Sequence, residues 1–167
     1  MPFEQIGPND IDRMREMTTR KSKVLFLSTG DATRSLIAEG FLRSLTGDRF
    51  DVMSVGVEPG VLNPLASEVM KEAGIDITDE KPKSIAQSFK ERFLHVIAIC
   101  DTAKERSPIF PFALGILHWS IVDPNSDDGL PGQKSEVFRR VRDQISDKVK
   151  QFVTETEKIH ASELSIA

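Results

Sequence analysis

The stretch VLFLSTGDATRS, residues 24–35, is an apolar run that breaks into a short polar loop and closes on an arginine and a serine. With Lys23 in front, KVLFLS reads as a continuous apolar strand of the kind buried on both faces of a parallel sheet. A loop of this size between a buried strand and a helix start aims several backbone N–H groups inward, at the positive end of the helix dipole. Gly30 permits unusual backbone angles, and Arg34 adds a planar fork suited to phosphate or arsenate oxygens. Ser28, Thr29, Gly30, Asp31, Ala32, Thr33, Arg34 and Ser35 are therefore the candidate oxyanion-binding residues. The spacing alone fits a second reading equally: a plain strand-to-helix turn with a solvated arginine.

Outward from that loop, strands and helices alternate. SLIAEGFLRSLTG places Ile37, Phe41 and Leu45 at i, i+4 and i+8, widened by Ala38 and Leu42, and Gly47 ends the helix. FDVMSVGV is a second strand, and NPLASEVMKEAG a second helix with a proline in its first turn and a glycine stop. ITDEKPKSIAQSFKER is a polar connection into a short helix, FLHVIAIC a third strand ending at Cys100, and ILHWSIV a shorter fourth strand. A turn-rich loop, DPNSDDGLPGQ, precedes a last helix predicted from near Ser135, with Phe138, Val141, Ile145, Val149 and Phe152 on one stripe. This alternation predicts an α/β domain with a mostly parallel sheet, whose ligands bind beyond the carboxyl ends of the strands. The segments after Leu27, after Cys100 and at Asp123 are expected to meet on that face.

The 167 residues suit one domain over 22–155, with an N-terminal extension over 1–21 and a C-terminal tail over 156–167. In the extension, Ile11, Met14 and Met17 share one face of a short helix capped by Asn9 or Asp10, or belong to a frayed arm. A net charge of -4 argues against a nucleic-acid partner, and the sequence lacks the long apolar run of a membrane span or a cleaved leader. A single cysteine excludes an internal disulfide framework and a cysteine-rich metal site, so the expectation is a cytoplasmic protein without metal or cofactor. His95 and His118 lie within strands without a partner at ligand spacing, and His160 in the tail.

VLFLSTGDATRSLIAEGFLR resembles the phosphate loop and first helix of the low-molecular-weight protein tyrosine phosphatases, and within that group the thioredoxin-coupled arsenate reductases, whose loop has the form C-x5-R-S. The resemblance continues in order through SVGVEPGVLNPLASEVMKEAGIDIT, AICDTAKERSP, LHWSIVDP and FRRVRDQI. It implies a three-layer sandwich around a four-stranded parallel sheet, the phosphotyrosine phosphatase I-like fold. It also implies catalytic positions at Ser28, Arg34 and Asp123, the last as the acid that protonates a leaving oxygen. Without the resemblance, Asp-Pro is only a common turn starter.

The chain departs from the family pattern at the reactive positions. Ser28 stands where the family has its nucleophilic cysteine, a thiolate whose pKa the loop donors lower from about 8.5. Asp31 stands for the loop asparagine and Thr33 for a second cysteine. Cys100 keeps the first resolving position, but Ser107 holds the second, and one thiol cannot carry a disulfide relay. The expectation is a protein that has lost catalysis and binds a phosphate, sulfate or arsenate-like anion weakly, or a protein partner. The alternatives are an active enzyme whose cysteine was replaced to trap a ligand, which accounts for Ser28 alone, and a serine phosphoryl acceptor assisted by Asp123. Some arsenate reductases of this type also hold potassium through an asparagine, a glutamate, a serine and an aspartate. The matching residues are Asp31, Glu39, Ser54 and Lys83, where the lysine is either an internal cation or an exposed side chain before a helix.

Overall fold

The computed structural model describes residues 21–28, 33–57, 60–81, 83–99, 115–126 and 129–166, together with Asn9 and Ala113. The side chains of Asp48, Pro131 and residues 160–166 lie outside that description. Strand β1 (Ser22–Ser28) leads to helix α1 (Thr33–Thr46), strand β2 (Phe50–Gly56) and helix α2 (Pro64–Glu72). A 3-10 segment (Ile85–Lys90), strands β3 (His95–Ala98) and β4 (Ile116–His118), and helix α3 (Pro131–Ile166) follow. The sheet order is β2-β1-β3-β4, every pair parallel, with Ser28 opposite Gly56 and Leu27 opposite Ala98. This is the α/β architecture expected from the alternation.

Alternate residues of the central strands serve opposite faces. Val24, Phe26, Ile97 and Ile99 join Ile37, Phe41, Val69, Met70 and the α3 stripe in one cluster, so α1, α2 and α3 all cover that face. Leu25, Leu27, Val96 and Ala98 face the other way, against Phe93 and Ile85. The β2-to-β3 connection serves both faces: its helix α2 packs beside α1, and its 3-10 segment brings Ile85 to the other cluster. Reversal of strand order at β1 also opens a crevice at the carboxyl ends of β1 and β3, where Ser28 sits.

The helix boundaries follow from local chemistry. Asn63 caps α2 by accepting from the Leu65 N–H at 3.0 Å, Pro64 opens it, and Gly74 leaves it at φ 79°. Three expectations are corrected. Leu45 is exposed, because Leu36, Ile37, Ala38, Phe41 and Leu42 already fill the stripe that α1 turns inward. The fourth strand stops at His118: the Ile121 N–H turns back to the Trp119 carbonyl at 3.1 Å, although both residues stay buried. The last helix opens at Pro131, four residues ahead of Ser135, with a proline suited to a first turn. Apart from Asn9 and Lys21, the N-terminal helix read over 9–21 lies outside the described residues.

Candidate functional site

Ser28 is the last residue of β1 and is fully buried; its carbonyl accepts the Val57 N–H at 2.9 Å. Four residues later α1 begins at Thr33, so the loop between them spans from a strand end to a helix N-terminus. Thr33, Arg34 and Ser35 are all buried. The Ser28 hydroxyl donates to the Ser35 hydroxyl at 3.0 Å, which closes the two ends of the loop on each other. Thr29, Gly30, Asp31 and Ala32 lie outside the described residues, as do Cys100 and Ser107.

Arg34 is 4% exposed, which removes the reading of a solvated arginine on a plain turn. Its Nη1 donates to the carbonyl oxygen of Ile121 at 2.7 Å. That short distance suits a charge-assisted bond and joins α1 to the segment two residues before Asp123. Two of the three strand-end segments expected to meet therefore do; the third, after Cys100, lies outside the described residues.

Asp123 is half-buried, and its Oδ1 accepts from the Asn125 N–H at 2.9 Å and from Asn125 Nδ2 at 3.2 Å. Its carbonyl accepts the Ser126 hydroxyl at 2.7 Å, so the aspartate folds its own loop into the turn Pro124–Ser126. Asn63 Nδ2 donates to Asn125 Oδ1 at 2.8 Å and braces this turn against the start of α2. Sequence reading missed that brace, because 62 residues separate the partners and neither forms a motif. It also missed the Ile121 carbonyl, since a backbone acceptor carries no side-chain signal.

Behind the loop, Glu39 of α1 is 2% exposed, accepts the Ser54 hydroxyl on β2, and contacts Arg43 Nη2 at 2.5 Å. The Glu39–Arg43 pair has the i,i+4 spacing that its sequence could have announced. Loss of solvent pushes the Glu39 carboxyl up, opposed by the Ser54 hydrogen bond, then by Arg43 and Lys83; Glu80 adds to the rise. Potassium held through Glu39, Ser54 and position 83 does not fit this set. The Arg43 guanidinium already contacts Glu39 Oε1, and Lys83 adds a second positive charge that favours the carboxylate. No group of His, Cys, Asp and Glu suited to a metal occurs among the described residues, and no described helix is long and apolar enough to cross a membrane.

Comparison with known proteins agrees with this geometry. An arsenate reductase of Halalkalibacterium halodurans is 38% identical over 132 residues, covering 79% of this chain and 95% of that protein. The arsenate reductase of Bacillus subtilis is 36% identical over 129 residues, 77% of this chain and 93% of its own. Among solved structures, an arsenate reductase in the phosphate binding state superposes with a TM-score of 0.70 at 30% identity, covering 80% of this chain and 98% of that one. A low molecular weight protein tyrosine phosphatase from T. tengcongensis superposes with a TM-score of 0.67 at 26% identity, covering 81% and 99%. Residues 23–162 match the family described as low molecular weight phosphotyrosine protein phosphatase, and the chain belongs to that family.

Proposed function

We propose that this protein is a catalytically silent member of its family that holds an oxyanion in the Ser28–Ser35 loop. The observation that carries the reading is the pairing of Ser28 with Ser35: the hydroxyl at the nucleophile position is hydrogen-bonded to a second hydroxyl at 3.0 Å. A serine needs an adjacent base to attack phosphorus or arsenic, and a neutral hydroxyl is not one. The family thiolate instead reaches its reactive state through a lowered pKa, a route closed to an alcohol.

Binding has independent support. The N-terminus of α1 directs the positive end of its dipole at the loop, and Arg34 stands in the first turn with a buried guanidinium. A relative of the same fold is known in a phosphate binding state. Phosphate, sulfate and arsenate share the tetrahedral oxygens this loop suits. Asp31 sets the affinity: a carboxylate several Ångström from a phosphate costs on the order of 1 kcal/mol at intermediate dielectric, enough to offset one contact from Arg34. In this reading Asp123 is an inherited acid position with no step to serve, and Cys100 with Ser107 is a relay reduced to one thiol.

Turnover assays test the catalytic half. With arsenate and a thioredoxin or glutaredoxin system, the protein is expected to consume no reductant above a protein-free control. Arsenate-dependent consumption overturns the reading.

A further inference from the structure

Glu39 presents a charge problem that the anion loop does not explain. It is buried on the side of α1 that faces β2, one turn beyond Ser35, and a carboxylate there needs compensation. The compensation comes from two directions. Arg43 Nη2 reaches Glu39 Oε1 at 2.5 Å while its other contacts, the Val52 carbonyl at 3.2 Å and Glu80 at 3.4 Å, hold the guanidinium over the site. Lys83 adds positive charge that favours the carboxylate through space, and its carbonyl accepts the Gly56 N–H at 2.9 Å, two residues along β2 from Ser54. Gly56 is also the register partner of Ser28, so the lysine backbone sits one strand away from the end of β1.

We infer that the chain carries its own cations behind the oxyanion loop, Arg43 in contact with Glu39 and Lys83 anchored by its backbone beside the end of β2, and that potassium has no role in its stability or its anion binding. The positive charge beside Glu39 is covalently built in. An ammonium on a tethered side chain is present at any salt composition, so the region behind the loop does not respond to which monovalent cation is in solution. The anion-binding clause rests on the proposed function; the stability clause does not.

Thermal melts in KCl, NaCl and choline chloride at equal ionic strength read the stability clause. The protein is expected to melt at the same temperature in KCl and NaCl, whereas Lys83→Asp melts lower in NaCl and regains ~2 °C or more selectively in KCl. Lys83→Asn is the milder variant should the aspartate prevent folding, with the same selective gain expected. A higher melting temperature of the natural sequence in KCl than in NaCl overturns the inference, and so do lysine variants that respond alike to both salts. Inorganic phosphate titrated in KCl and in choline chloride should give dissociation constants within about twofold, and a larger gap also counts against it. Failure of phosphate to bind in any salt overturns the proposed function alone, because the melts still decide the cation question.

Discussion

The guanidinium of Arg34 donates from Nη1 to the carbonyl oxygen of Ile121 at 2.7 Å, across 87 residues of sequence. One buried bond thus joins the start of α1 to the backbone just before Asp123. Removing the donor leaves a buried carbonyl unsatisfied, with a cost of about 1–3 kcal/mol. Arg34→Ala is expected to lower the urea midpoint by that amount with an unchanged denaturant slope, and Arg34→Lys to recover only part of it. An Arg34→Ala protein as stable as the natural one would show that the bond has no mechanical role.

If only the reactive group has been lost, restoring it should restore chemistry. Ser28→Cys combined with Asp31→Asn rebuilds the family's thiol and its neutral loop side chain. Phosphate release from an aryl phosphate is expected to rise above the background set by the natural sequence. Asp31→Asn by itself is expected to tighten phosphate binding, tenfold for each 1.4 kcal/mol of repulsion removed. Unchanged affinity in that variant would mean that another charge already neutralises the aspartate.

Core positions should separate sharply from the exposed one. Ile145 lies fully buried in the α3 stripe, and Ile145→Ala is expected to cost about 2–5 kcal/mol. Leu45 is 42% exposed, and Leu45→Ala is expected to stay within about 0.5 kcal/mol. Equal losses at the two positions, measured by denaturant unfolding, would contradict the inward face assigned to α1.

That pair also shows how far the sequence could be read. Periodicity identified the α1 helix and its stripe, and the continuous run through Val24 to Leu27 identified a strand buried on both faces. The exposure of Leu45 was not legible, because a helix of given periodicity can roll, and the roll is set by α3 and the sheet. Trp119 and Ile121 look like strand residues because they are apolar and buried, yet Ile121 turns its N–H to Trp119 and leaves the ladder. At the site, Arg34 and Ser35 stood out by residue type. The Ile121 carbonyl that accepts from Arg34 did not, because a backbone acceptor is chosen by the fold.

His95 supplies a pH dependence. Burial at the start of β3 holds its imidazole below the usual value of about 6.5, and its ring meets Phe152 edge-on at a centroid distance of 5.2 Å. The unfolded chain therefore binds the proton more readily than the folded one. Stability should rise with pH through the window from the lowered folded value up to about 6.5, and be lost as pH falls through it. His95→Gln is expected to flatten the unfolding free energy across that window. A variant with the same slope as the natural protein would assign the dependence to other groups.

The central claim is that the loop still holds an oxyanion although its nucleophile is gone, and a calorimetric titration of inorganic phosphate at low salt tests it most directly. The natural sequence is expected to give a saturable heat with one site per chain, and Arg34→Ala to weaken it by about tenfold or more. No saturable heat from the natural sequence, or the same heat from the alanine variant, would contradict the account.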